Sequence, residues 1–301
     1  MLPASIPRLC RFSLRDSPDD VRVGGMGSAD GTPGDGLRLH DLSTAGVRRL
    51  QTMLDADDPA AALVTAIGRA RHSLPLADVI LRPPVEPDHE VWAAGVTYLR
   101  SKKARMEESE FSATAYDRVY EAARPEIFFK AVGARVVGPG EAVGIRSDAR
   151  WSVPEPELAL VIDARGRLVG CTIGNDMSSR DIEGENLLYL PQAKVYDRSC
   201  ALGPWIVLGV DEATARGWQV AIEIQRGSAA VFHGTTAVSQ IKRPFADLLD
   251  HLCRCQTFHS GAVLLTGTGI VPDESFTLAA GDEVTISISG IGTLANPVIV
   301  V

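Results

Sequence analysis

Two glutamates stand two residues apart in Val153-Pro-Glu155-Pro-Glu157-Leu-Ala-Leu-Val-Ile162, leading into an apolar run that reads as a buried strand. Side chains alternate along a strand, so Glu155 and Glu157 point to one face. The prolines belong at the strand's start, where a missing N–H is tolerated. Asp163-Ala-Arg-Gly166 reads as a turn, and Arg167-Leu-Val-Gly-Cys-Thr-Ile173 as a second strand leading to Asn175-Asp176. A two-residue turn centred on Arg165-Gly166 sets Asp176 opposite Glu155, and three carboxylates then converge. Like charges so placed must be protonated or compensated. A hard divalent cation compensates them best. All-oxygen ligation with no His or Cys nearby favours Mg2+, with Mn2+ or Ca2+ as alternatives. On these residues alone, a metal site and a solvated strand face both remain open readings.

The elements that must position these groups are short. From Val91 onward the chain runs in apolar segments punctuated by Gly and Pro, the pattern of a β-rich domain. Val284, Ile286 and Ile288 alternate with polar neighbours after a Gly-Asp turn, predicting a half-buried strand. Ser101 to Ala123 is charged, lacks Gly and Pro, and reads as a helix or lid. Residues 1–85 read as a small N-terminal domain and 86–301 as the catalytic domain, joined by the Pro-rich Arg82–Pro87. Within the first part, Ser43–Leu54 and Pro59–Arg71 carry helical spacing. Gly24-Gly25-Met26-Gly27 reads as turn chemistry, and no strand leads into a phosphate-binding glycine loop. The fold class expected is α+β, rich in strand.

The 301 residues carry a net charge of -8, which argues against nucleic acid as the partner and weakly against an anionic membrane surface. No apolar run approaches the ~18–20 residues of a membrane span, and the N-terminus lacks the apolar stretch of a secretory signal. Five cysteines are scattered, and Cys253-Arg-Cys255 has neither redox nor zinc spacing, so free thiols in a cytoplasmic protein are expected.

Glu155-x-Glu157 and Asn175-Asp176-Met-Ser-Ser-Arg180-Asp181 together resemble the metal motifs of the fumarylacetoacetate hydrolase family. So do Arg124-Pro-Glu-Ile-Phe-Phe-Lys130, Leu265-Thr-Gly-Thr-Gly269 and Gly290–Pro297, so that the resemblance covers about residues 90–301. It implies a β-roll-like core, one divalent metal held by Glu155, Glu157 and Asp176, a small anionic α-keto acid as substrate, and a homodimer or homotetramer. Trp92–Ser101 and Asn186–Lys194 are similar to the branch that dehydrates 2-keto-3-deoxy sugar acids such as 2-keto-3-deoxy-D-arabinonate. By that resemblance Lys194 is the base, Glu126 the second acid–base residue and Thr268 a hydrogen-bond donor to the substrate carboxylate. Arg100 is placed to reach substrate hydroxyls, and Lys130 to balance the carboxylates. Ser101 stands where the family's hydrolases carry a general-base His, and a Ser takes no proton near neutral pH without a partner base. The expected activity is therefore dehydration to 2-oxoglutarate semialdehyde. The alternatives are acylpyruvate or fumarylacetoacetate-type hydrolysis, or oxaloacetate decarboxylation, on the same fold. A further one, from another class, is a binding module without turnover.

Overall fold

In a computed structural model of the protein, residues 6–27, 38–99 and 118–301 are described. The N-terminal part supplies β1 (Arg8–Leu14), β2 (Ser17–Met26), β3 (Arg38–Asp41), β4 (Ser73–Pro75) and β5 (Val79–Arg82). β6 (Glu90–Gly95), β7 (Glu126–Val132), β8 (Val143–Ile145) and β9 (Ser152–Val153) follow. A central hairpin, β10 (Pro156–Ile162) and β11 (Leu168–Asp176), precedes β12 (Ser178–Ser179) and β13 (Cys200–Leu208). The chain ends with β14 (Gln219–Arg226), β15 (Ala229–Ala237), β16 (Ala262–Leu265), β17 (Asp282–Ile288) and β18 (Gly292–Val300). The large sheet runs β4-β3-β2-β1-β13-β11-β10-β16-β6-β7, with β5 also paired to β1. A second sheet runs β15-β14-β17-β18-β8. This is the strand-rich α+β class expected, and among the described residues no helix is long and apolar enough to cross a membrane.

Each face of the large sheet has its own core. On one, Leu158, Leu160, Cys171 and Ile173 pack against Ile222, Val284 and Ile286 of the second sheet. On the other, Ala159, Val161, Leu202 and Leu265 pack with Leu50, Leu54, Leu63 and Ile67 from the N-terminal part. The helix Pro59–Arg69 supplies Leu63 and Ile67. It is started by Asp58, whose carboxylate accepts from the Ala61 N–H at 2.9 Å, and by proline at its first position. β17 alternates buried and more exposed positions as its pattern predicts.

Three local expectations are corrected. Ser43–Leu54 is not one helix: a 3-10 turn over Leu42–Ala45 ends at Gly46 (φ 87), and helix resumes only at Gln51–Leu54. Gly24 and Gly25 lie inside β2 rather than in a turn. They are glycines because neighbours press on them: a Cβ on Gly25 would stand 2.7 Å from Leu63 Cδ1. Of the Ser101–Ala123 helix, 101–117 fall outside the described residues, and 118–121 are helical.

The third correction concerns the central hairpin. β10 and β11 pair as expected, Pro156 with Asn175, Glu157 with Gly174 and so on to Val161 with Gly170. The turn differs: Asp163 N donates to Arg167 O at 3.1 Å across a three-residue loop that closes on Gly166 at φ 75. Ile162 then pairs with Leu168 and Val161 with Gly170, leaving Val169 as a bulge. The bulge exchanges faces. Leu168 packs on the same core as Cys171 and Ile173, although they lie an odd number of residues apart. The positions between them and beyond, ending at Asp176, are turned to the face that carries Glu155 and Glu157. A Cβ on Gly170 would stand 2.5 Å from Val207 O, so the crowded bulge requires glycine there.

Asp163 holds the loop. Its buried carboxylate accepts from the N–H groups of Arg165 and Arg167 at 3.0 and 2.9 Å and from both Nε atoms at 3.1 and 2.8 Å. Asp163→Ala is expected to lower unfolding free energy in urea by about 1–3 kcal/mol, since it removes the buried acceptor on which four donors of the loop converge. A loss under about 0.5 kcal/mol, the surface-substitution range, would show that the loop holds without it.

Candidate active site

The hairpin delivers Glu155, just before β10, Glu157 within it, and Asp176 at the end of β11. The Asp176 N–H donates to Glu155 O at 3.0 Å, locking the two ends together. One carboxylate oxygen from each of the three lies within 4.8 Å of the others, and all three residues are buried. The Glu157 carboxyl is pushed well above the ordinary carboxylate range, first by burial and then by the charges of Asp176 and Glu155. Opposing this, the Gly267 N–H donates to Glu157 Oε2 at 2.6 Å. Gly267 sits at φ 87, where a Cβ would lie 2.2 Å from Thr97 Oγ1, so only glycine brings that N–H to the carboxylate.

Three cations surround the three carboxylates. Lys130 Nζ is 2.5 Å from Asp176 Oδ1 and donates to Met177 O at 2.9 Å and Lys194 O at 2.5 Å. A bulge in β7, where Val91 pairs with Ala131 but Trp92 with Phe129, leaves Lys130 as the extra residue and aims it inward. Lys194 ends the short helix Leu190–Lys194 and is fully buried. Its Nζ lies 3.1 Å from both Glu155 Oε1 and Asp176 Oδ2, donates to Ser178 Oγ at 2.5 Å, and stands 5.7 Å from the centre of the Phe128 ring. Ser178 in turn donates to Glu155 Oε1 at 3.0 Å. Arg180, the first residue of the helix Arg180–Glu185, places Nη2 2.8 Å from the same oxygen.

Glu126 opens β7 opposite Gly95 of β6. Its carboxylate lies across that glycine, where an added Cβ would come within 2.0 Å of Glu126 Oε2. Thr268 is buried in the loop after β16, and its Oγ1 accepts from the Ile270 N–H at 3.2 Å. The structure therefore draws Glu155, Glu157, Asp176, Lys130 and Lys194 into one cluster, with Thr268 one residue from the Gly267 contact. Arg100 and Ser101 lie outside the described residues. Ser178, Arg180 and the Gly267 N–H were given no part on sequence grounds. The first two sit in the polar run after Asp176, where their density was the available signal. A backbone donor leaves none.

The profile described as fumarylacetoacetate (FAA) hydrolase C-terminal matches residues 90–299. The chain belongs to the fumarylacetoacetate hydrolase family. This member is 49% identical over 215 residues to the probable 2-keto-3-deoxyxylonate dehydratase of Haloferax volcanii, covering 71% of this chain and 73% of that protein. It is 41% identical over 229 residues to the 2-dehydro-3-deoxy-D-arabinonate dehydratase of Saccharolobus solfataricus, covering 75% and 76%. The solved structure of a 2-keto-3-deoxy-D-arabinonate dehydratase complexed with magnesium and 2,5-dioxopentanoate superposes with a TM-score of 0.74 at 30% identity, over 98% of this chain and 99% of that one. The donor set here suits a hard divalent cation: three carboxylates with neither nitrogen nor sulfur, in a setting where burial and its neighbours' charges raise the Glu157 carboxyl well above its ordinary range.

Proposed function

We propose that the protein is a divalent-metal-dependent hydro-lyase that dehydrates a 2-keto-3-deoxy sugar acid, such as 2-keto-3-deoxy-D-arabinonate, to 2-oxoglutarate semialdehyde. The observation that carries the reading is a fully buried amine, Lys194, 3.1 Å from two of three clustered carboxylates. Glu155, Glu157 and Asp176 are the metal ligands, for Mg2+ with Mn2+ or Ca2+ as substitutes. When bound, the cation would supply Lewis acidity to an α-keto acid head.

Lys194 takes a proton from carbon 3, and its hydrogen bond to Ser178 Oγ fixes where the lone pair points. Glu126 gives a proton to the departing carbon 4 hydroxyl, which leaves as water, and the double bond moves along the chain to yield the aldehyde at carbon 5. Lys130 and Arg180 hold Asp176 and Glu155 in place throughout. Thr268 receives the substrate carboxylate, and Arg100 and Ser101 contact its hydroxyls. Residues 1–85 act as a small N-terminal domain. The chain works as a homodimer or homotetramer, a reading supported by the exposed apolar end Ile299, Val300 and Val301, and in the cytoplasm, supported by five free cysteines.

A substrate panel tests the reaction class. Both 2-keto-3-deoxypentonates and acylpyruvates present the same α-keto acid head, so the groups around the tail must discriminate. Measured kcat/KM is expected to favour the 2-keto-3-deoxypentonate by at least ~10², the size of one well-placed acid or base. A preference for acylpyruvate would replace dehydration with hydrolysis.

A further inference from the structure

The Gly267 N–H that meets Glu157 belongs to the peptide unit joining Thr266 to Gly267, and the carbonyl end of that unit is held as well. Thr97 Oγ1 lies 2.6 Å from Thr266 O, and both residues are buried. A carbonyl oxygen only accepts, so the Thr97 hydroxyl donates and its one proton is committed there. The N–H of the same peptide donates to Glu157 Oε2 at 2.6 Å. Hydroxyl, peptide and carboxylate therefore form one directed chain, in which each donor points toward Glu157. Donation to the carbonyl polarises the amide, so the first bond strengthens the second, and a buried, low-dielectric setting enlarges the effect.

The backbone on both sides is shaped for this contact. Val96, the residue before Thr97, is buried at φ 53, a left-handed conformation that a β-branched residue adopts only where its surroundings impose it. The Thr97 carbonyl accepts from the Lys242 N–H at 3.0 Å, which ties that turn down. Thr266 is fixed separately: its N–H and its hydroxyl both donate to Leu158 O, at 3.0 and 2.8 Å, beside Glu157 on β10.

We infer that Thr97 is a positioning residue for the metal centre: acting through the peptide between Thr266 and Gly267, it fixes the orientation of the Glu157 carboxylate. A carboxylate held by an N–H on one oxygen no longer turns freely about its Cγ–Cδ bond. A ligand so ordered meets a cation without a further loss of freedom. The inference deepens the metal-dependent reading above and rests on Glu157 being a metal ligand.

Titration calorimetry of Mg2+ into the full, metal-stripped chain tests it. Thr97→Val keeps the shape but removes the donor, and is expected to raise the Mg2+ dissociation constant about tenfold or more, the usual effect of losing a group that orients a ligand. Thr97→Ser restores the hydroxyl and is expected to bind within about threefold of native, well short of that loss. A packing role alone would lower the Tm of Thr97→Val and leave its Mg2+ constant near native, and that result overturns the inference. Equal weakening in Thr97→Val and Thr97→Ser overturns it too. Should Thr97→Val not fold, Thr97→Cys takes its place, because it differs from Thr97→Ser only by sulfur for oxygen and S–H is a weak donor. It is expected to bind Mg2+ severalfold more weakly than Thr97→Ser, and equal affinity there overturns the inference in the same way. None of these readouts requires turnover. Failure of the dehydratase reading would appear separately, as no release of water from the pentonate by a native enzyme that binds Mg2+.

Discussion

Replacing Lys194 with Met is expected to lower turnover by ~10²–10⁴ while leaving Mg2+ binding in place, the usual consequence of losing a positioned general base. The two readouts separate because the amine and the metal ligands are different groups. Met keeps the length and apolar body of the side chain that fills this fully buried site, but supplies no proton acceptor. Lys130 and Arg180 still neutralise Asp176 and Glu155, so the cluster stays assembled. Single-turnover kinetics at saturating Mg2+, with Mg2+ affinity measured by titration calorimetry, decides the matter. Turnover within a fewfold of normal would move the base to another group, Glu126 first.

Stripping the metal should be more drastic: chelation is expected to abolish turnover, and Mg2+ or Mn2+ to restore it. Full activity in a verified metal-free sample would sink the metal assignment. Stability carries a second signature, through Glu157. Its carboxyl lies well above the ordinary 4.5 in the folded protein, so folding favours the protonated form. Its contribution is therefore complete below the unfolded value of 4.5 and is lost as pH rises through the folded one. The Glu157 contribution to the melting temperature of the metal-free protein should accordingly be smaller at about pH 8 than at about pH 5. Mg2+ binds the ionised ligands and should stabilise more as pH rises. At a hundredfold excess over Kd the gain is about 2.7 kcal/mol, or roughly 4 °C in Tm for a chain of 301 residues. A Mg2+-induced shift that shrinks with rising pH would contradict the assignment.

Much of this site is legible in the sequence because its ligands sit on a hairpin, where alternation and pairing suffice to bring Glu155, Glu157 and Asp176 together. The strands themselves announce their apolar runs and their alternation, as β10 and β17 do. What alternation does not encode is contact between distant segments. The Gly267 N–H reaches Glu157 from 110 residues away. Lys130 is aimed by a bulge that depends on pairing with β6 rather than on its own neighbours. Glycines mislead for a similar reason: Gly24 and Gly25 resemble a turn locally but are small because Cys10, Leu39, Leu63 and Ile67 crowd them. The helix expected over Ser43–Leu54 fails at Gly46, whose left-handed φ of 87 stops the first turn.

The bulge at Val169 also constrains how this hairpin can diverge. Gaining or losing one residue between Arg167 and Asp176 would exchange the inward and outward sets of β11, sending Asp176 into the apolar core and Ile173 toward Glu155 and Glu157. Insertions and deletions there behave like frameshifts: single ones are lethal to the site, whereas compensating pairs are silent. Length variation in descendants of this sequence should therefore accumulate in the loop Ala164–Gly166, upstream of the bulge, or arrive two residues at a time.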